Sequence, residues 1–452
     1  MPAPKYPLEA LFGRVLSPLE RFLQRATAGG IILVATTVLT LGLSTLLGSE
    51  ALHHFWEQKL TLAAGSSFAL SLTLHHWVND GLMALFFLIV GLELKREILV
   101  GELASLRDAA LPVVAALGGM VIPAALYALF NAGTPTADGW GIPMATDIAF
   151  AIGILVLLGD RVPRNLIIFL MALAIADDLG AVLVIAVFYT REIDQGALAA
   201  ALALFAVLGL FNRGGIRHPL PYILAGLLLW YAVLASGVHA TIAGILLAVA
   251  IPALSKRSPA EFDARVAELH HAFREEDPAA ATGNAPLSNH RMAEIAAALE
   301  HSAAQVQSPL LRIEHGLHPW VTFLVIPIFA LANAGIDLGT VEMSALSQPV
   351  TLGVVAGLVL GKFIGISAFS WVAIQAGLAR LPAGVSWGQL MGAAWLGGIG
   401  FTMSLFISQL AFSDPLFAEQ AKLGILVASA LATAIGLTWL LAVTRRPGAS
   451  AA

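Results

Sequence analysis

Long apolar runs separated by short polar stretches set the pattern of this chain. A helix needs about 20 apolar residues to cross the ~30 Å hydrocarbon core of a bilayer. Twelve runs reach or approach that length: 26–48, 76–99, 109–131, 141–159, 164–189, 196–212, 219–235, 237–252, 317–335, 349–377, 388–411 and 418–443. A transmembrane barrel would instead show ten-residue segments of alternating polarity. The pattern predicts an all-α membrane protein with about twelve transmembrane helices. Ahead of the first run, Leu8, Leu11, Phe12, Val15, Leu16, Leu19, Phe22 and Leu23 recur at three- and four-residue spacing. That spacing predicts an amphipathic helix within 1–25, lying on the membrane face. Glu9, Pro18 and Glu20 interrupt any signal-peptide core there.

Two stretches break the apolar rule. Residues 59–73 alternate loosely about Gly65-Ser66-Ser67, which predicts a small extracytoplasmic β-hairpin, with an irregular loop as the alternative. The free edge of such a hairpin can pair with a second copy. Residues 257–310 form the one long polar segment. It opens on Ser258-Pro259-Ala260-Glu261, a capping-box pattern with proline at the first helical position. Helical runs follow over 259–276 and 288–307, joined by 277–287. The expected organisation is therefore 1–25, spans one to eight over 26–256, a polar helical insertion at 257–310, spans nine to twelve over 311–444, and a tail at 445–452.

Composition narrows the class. The 452 residues are 58% hydrophobic and only 12% charged, against about 25% charged in soluble domains. A water-soluble enzyme and a disordered chain are both excluded. There is no cysteine, hence no disulfide and no thiolate site. A net charge of −5 argues against a nucleic-acid partner. Twelve spans place both termini on one side. Of the 24 Lys and Arg, only Lys59, Arg191 and Lys422 fall on the opposite side, and Lys362 falls within a span. By the positive-inside rule the termini are cytoplasmic. An enzyme is not expected: no His-Glu-x-x-His zinc motif or convincing serine nucleophile is present. No resident cofactor is expected either.

The chemistry rests on charges at membrane depth. Asp147, Asp177, Asp178 and Lys362 lie within spans, and Asp80 and Glu93 lie nearer the ends of theirs. Each costs about 2.5–3.5 kcal/mol at a helix centre, so such residues mark function by default. Asp177 and Asp178 point about 100° apart on a helix and can flank one cavity. Close carboxylates repel when both are ionised, and either a proton or a hard cation relieves them. Competition of the two for one charge deficit is the physical basis of exchange. A buried Lys362 needs an acid partner to stay charged; a cation taking that acid would release the lysine's proton. The spans 141–159 and 388–411 carry Pro143 and Gly397-Gly398-Ile399-Gly400 and read as broken helices. Asp147 would then balance two exposed N-termini and Lys362 two C-termini. Spans three to five and ten to twelve become corresponding halves, an inverted-topology repeat with one broken helix each.

Several runs then match one family in order: Ala145-Thr-Asp-Ile-Ala-Phe-Ala-Ile-Gly, Phe169-Leu-Met-Ala-Leu-Ala-Ile-Ala-Asp-Asp-Leu-Gly-Ala, Gly237-Val-His-Ala-Thr, Phe329-Ala-Leu-Ala-Asn-Ala-Gly and Gly397-Gly-Ile-Gly-Phe-Thr-Met-Ser. They resemble the NhaA-type sodium/proton antiporters, over about 26–444 without 257–308. The resemblance implies electrogenic export of Na⁺ or Li⁺ for H⁺ across the inner (cytoplasmic) membrane, with two crossing discontinuous helices. It implies Asp178 as principal cation ligand and Asp177 as a proton-carrying partner bound to Lys362 when no sodium is present. Asp147 and Thr146 would sit at the crossing, and the outer hairpin would join a homodimer. It also implies silence in acid and activity in alkali. The sensor candidates are Glu93, Arg96 and Glu97 on one span, Glu314, His315 and His318 on another, and His239. The polar insertion at 257–310 departs from the family pattern just before Glu314. The rival reading is a sodium-coupled solute transporter, which would need a larger polar cavity than the remaining polar residues can line.

Overall fold

The computed structural model describes residues 28–64, 68–190, 193–276, 290–337, 339 and 343–444. The expected amphipathic helix within 1–25, the turn 65–67, Arg191, the connector 277–287 and the tail 445–452 lie outside the described residues.

In hydrocarbon every backbone polar group must find an internal partner, so apolar runs fold as helices. The chain opens with α1 (Ala28–Leu47) and the short α2 (Ser49–Trp56). Strands β1 (Lys59–Ala64) and β2 (Phe68–Thr73) pair antiparallel with Lys59 opposite Thr73 and Leu62 opposite Leu70. The 59–73 segment is therefore the hairpin and not a loop. A π turn (Trp77–Leu82) leads into α3 (Met83–Val100), followed by α4 (Leu106–Asn131). Next come a 3₁₀ segment (Ala137–Met144), α5 (Ile148–Leu157), α6 (Arg164–Phe188), α7 (Gln195–Arg213), α8 (Pro219–Ala235) and the short α9 (Ile242–Ala250).

Beyond the membrane run, α10 (Pro259–Glu275) and α11 (His290–Val306) bury Leu269, Met292 and Ile295. Ser258 accepts from the Glu261 N–H while the Glu261 carboxylate accepts from the Ser258 N–H. Those bonds hold the Glu261 carboxyl below its usual range. The chain re-enters with α12 (Pro309–Trp320), a π turn (Val321–Val325) and α13 (Ile326–Asn333). It continues through α14 (Pro349–Val355), a π turn (Ala356–Gly361) and α15 (Lys362–Gln375). Last are α16 (Trp387–Leu396), α17 (Phe401–Ala411) and α18 (Pro415–Val443).

Among the described residues eight of these stretches are long and apolar enough to cross a membrane, and α16 with α17 forms a ninth, bent by 45° at its break. Of the remaining runs read from sequence, α3 carries four charges near one end. The α8 helix has 17 residues and α9 only nine, about 13–14 Å at 1.5 Å per residue. Lys95 Nζ caps the exposed end of α9, donating to the Ala248, Val249 and Ile251 carbonyls, while Asn212 Nδ2 donates to Ala250 O at 2.8 Å.

Two corresponding triplets carry the breaks: α4, the Ala137–Leu157 stretch and α6; then α14–α15, α16–α17 and α18. Small residues let their helices touch. A Cβ at Gly361 would lie 2.7 Å from Pro123 Cα, and one at Gly357 would lie 2.6 Å from Pro143 Cβ. Both neighbours are held in proline rings or backbone and cannot swing away. We expect Gly361→Leu to lower the unfolding midpoint in detergent, by about 1–3 kcal/mol or more of overpacking cost. Gly42→Ala on α1, where nothing lies within 4 Å of the added Cβ, should leave the midpoint unchanged or raise it. Equal behaviour of the two variants would remove the close approach of α4 to the Ala356–Gly361 turn as a determinant of the fold.

Candidate functional site

Two extended breaks meet at the centre of the bundle. In the first, residues 145–147 leave the 3₁₀ segment and Asp147 becomes the N-cap of α5, its Oδ1 accepting from Phe150 N–H at 3.0 Å. In the second, Gly397–Gly400 separates α16 from α17. The breaks are laced together. Asp147 N–H donates to Ile399 O at 2.6 Å, and Thr146 Oγ1 donates to Gly397 O at 2.8 Å. Asp147 Oδ2 accepts from both the N–H (3.1 Å) and the hydroxyl (2.5 Å) of Thr402, in the first turn of α17. One carboxylate thus serves the N-termini of two half-helices, where the partial positive charge of each is concentrated.

Beside the crossing, α6 presents Asp177 and Asp178, both fully buried. Lys362, equally buried at the start of α15, makes an ion pair with Asp177 Oδ2. Thr146 Oγ1 also lies 2.8 Å from that oxygen, so its one hydroxyl hydrogen is shared between the acid and the Gly397 carbonyl. Among the described hydrogen bonds Lys362 reaches no helix-end carbonyl; its partner is the acid. Asp178 differs from its neighbour: both its oxygens are buried and accept no hydrogen bond, as does Asp177 Oδ1. Three carboxylate oxygens are therefore unsatisfied inside an apolar shell, an arrangement that is costly unless a proton or cation completes it. Among the described residues, no group of three or more His, Asp or Glu forms a conventional metal cluster.

The remaining candidates fall into two places. At the end of α3, Arg96 Nη1 meets Glu314 Oε1 of α12 at 2.5 Å and Arg96 Nη2 meets Glu97 at 3.6 Å. Glu314 is buried with its second oxygen unpartnered, and Glu93 feels the charges of Glu314, Arg96 and Glu97. His318 stands 3.5 Å from Thr322 Oγ1, whereas His315 is exposed and has no hydrogen-bond or ion-pair partner among the described residues. His239 is elsewhere, just before α9. Its Nδ1 is 3.9 Å from Asp80 Oδ1, and its ring packs 6.0 Å from Phe406 on α17. Phe406 also meets Phe87 at 5.5 Å and Phe329 at 6.3 Å, forming a ring cluster beside the crossing.

Sequence reasoning missed Thr402, although it lies inside the quoted Gly-Phe-Thr run. It missed a clasp of His75, Asn79 and Asn333, in which Asn333 Nδ2 donates to Asn79 Oδ1 at 2.9 Å. The one available signal was a polar side chain within each apolar run.

A family model described as Na⁺/H⁺ antiporter 1 matches residues 20–440. The Na(+)/H(+) antiporter NhaA of Syntrophobacter fumaroxidans is 61% identical over 437 residues, covering 96% of this chain and 92% of its own. That of Acidithiobacillus ferrooxidans is 58% identical over 434 residues, covering 96% and 99%. That of Shigella boydii is 44% identical over 426 residues, covering 93% and 97%.

Removing one partner of a buried ion pair costs about 3–5 kcal/mol because the other charge is stranded, while removing both costs far less. Lys362→Met and Asp177→Asn should each lower the unfolding midpoint markedly, and the double variant should lie above the sum of the two losses. Additive losses in that cycle would show that the pair contributes no coupling.

Proposed function

The chain belongs to the Na⁺/H⁺ antiporter 1 family, and from that membership we propose that it expels Na⁺ or Li⁺ in exchange for protons through the paired acids of α6. The reading is carried by one observation: Asp178, with both oxygens buried and unpartnered, adjoins the acid that holds Lys362. Asp178 is the principal cation ligand, and Asp177 joins it when Lys362 lets go. Asp147 and Thr146 fix the crossing and neutralise the helix ends without carrying the ion.

Charge accounting gives the stoichiometry. With Asp178 protonated and Lys362⁺ paired to Asp177⁻, the site is neutral. With Na⁺ held by Asp177⁻ and Asp178⁻ and the lysine neutral, it carries one negative charge. Interconversion releases two protons for one sodium, so the cycle is electrogenic. Because protons and Na⁺ compete for the same oxygens, low pH suppresses Na⁺ loading and rising pH favours it. The site alternates between the two membrane faces as the triplets bearing the breaks rock against the remaining helices.

The arginine-rich end faces the cytoplasm of an inner-membrane protein, with both termini there. At that end Glu93, Arg96, Glu97, Glu314, His315 and His318 set the alkaline activation, with His239 contributing from the opposite side. The outer hairpin, whose Leu60 and Leu62 are exposed, pairs with its copy in a homodimer.

Inside-out vesicles with an acidified lumen supply the test. Na⁺ and Li⁺, but not K⁺, should alkalinise the lumen, increasingly from about pH 6.5 to about 8.5, as fewer protons compete with the cation for the carboxylate oxygens. Asp178→Asn should abolish the response; full exchange by a folded Asp178→Asn protein would overturn the assignment. Lys362→Met should retain some exchange but lose its dependence on membrane voltage. An unchanged voltage response would take the lysine out of the proton count.

A further inference from the structure

At the arginine-rich end, away from the acids of α6, three elements enclose a cavity of about 520 Å³. One wall is the 101–105 loop and the first turn of α4, with Glu102, Arg107 and Asp108. The facing wall is the loop after α15, with Leu378 and Arg380. The start of α6 forms the floor. The volume falls within the range of small-molecule sites, ~300–1,000 Å³, and far exceeds the ~30 Å³ share of one water.

The cavity is braced. Asn165 Nδ2 of α6 donates to Ala383 O at 2.7 Å, tying the far loop to the floor. Gly377, with φ +73°, turns the chain out of α15, and Leu378 N–H returns to Ala373 O at 3.0 Å. Two guanidiniums thus reach the cavity from opposite walls, and two carboxylates reach it from the α4 side. Among the described residues none of the four is in an ion pair or a side-chain hydrogen bond.

Neighbouring side chains report the depth. Leu378 is 62% exposed, and Leu106, directly before Arg107, is 93% exposed. Bare leucines beside arginines at the end of a spanning helix fit the boundary between acyl chains and headgroups. Basic pockets between helix ends at that depth bind lipid phosphates. A purely anionic ligand would also meet Glu102 and Asp108. A zwitterion satisfies both signs, with its phosphate between Arg107 and Arg380 and its ammonium on the acids.

We propose that this cavity binds the phosphoethanolamine headgroup of a membrane phospholipid. The site is separate from the exchange machinery, and the proposal stands or falls independently of it.

The test uses the full chain, delipidated in detergent and incubated with phosphatidylethanolamine, phosphatidylglycerol, phosphatidylcholine or inorganic phosphate. Native mass spectrometry counts retained lipid, and thermal unfolding reads stabilisation. Phosphatidylethanolamine should be retained best and stabilise most. The primary ammonium, absent from choline, should account for its advantage over phosphatidylcholine. The double variant Arg107→Ala/Arg380→Ala should weaken its retention by about tenfold or more, two phosphate partners being lost. The double variant Glu102→Gln/Asp108→Asn should keep phospholipid binding but lose the preference for phosphatidylethanolamine over phosphatidylglycerol. All four side chains are exposed, so unfolding of the lipid-free variants checks that folding is intact. Wild-type retention by the arginine double variant overturns the site. Equal retention of phosphatidylglycerol by the wild type overturns the headgroup. Equal stabilisation by inorganic phosphate overturns the lipid as source.

Discussion

The whole molecule is organised around the difficulty of keeping charge where there is no water. Four half-helix ends meet in the middle of the bundle, and each carries partial charge from unpaired backbone groups. Asp147 answers the two N-termini with one carboxylate, bonding Phe150 and Thr402 at once. That single residue fixes how α5 and α17 are placed against each other. The second lacing, from Thr146 to Gly397 O and Asp177, carries the geometry of the breaks over to the paired acids. The acids therefore do not float in a cavity. They are indexed to the helix breaks through one threonine hydroxyl, and Lys362 pins Asp177 to α15.

The buried pair and the unpartnered acid next to it divide the labour of the site. Only one oxygen of Asp177, Oδ2, has partners, in Lys362 and Thr146; its Oδ1 and both oxygens of Asp178 have none among the described residues. A fully satisfied pair of acids would be a structural feature, and a fully unsatisfied one would not survive burial. The mixture leaves three buried carboxylate oxygens without a hydrogen-bond partner beside one ion pair.

Much of this was legible in the sequence because hydropathy reports burial in lipid directly. Most of the long apolar runs were visible as helices, as were the pairing of 59–64 with 68–73 and the break at Gly397–Gly400; the first break lies at 145–147, just beyond Pro143. The errors have physical causes. Hydropathy reads 237–252 as one apolar run, yet Gly237 adopts φ +78° and the helix begins only at Ile242; apolarity carries no record of backbone conformation. The helix of 317–335 actually starts at Pro309, because Arg312, Glu314 and His315 mask its first turns. The contacts of Thr402 with Asp147 span 255 positions of sequence. Nothing local in the chain encodes them, and the same holds for the separation of His239 from the Arg96–Glu314 cluster.

Two side-chain clusters near the acids are held by forces that answer to different variables. In one the fastening is ionic, Arg96 on Glu314, and is sensitive to salt and acidity. In the other it is the ring of Phe406 wedged among Phe87, Phe329 and His239. Ring packing has little directional bonding to break, and the part of its strength that comes from excluding water fades on cooling. Temperature therefore acts chiefly on one cluster and ionic conditions on the other. Chilling at constant salt would loosen the aromatic cluster while leaving the ion pair as it was.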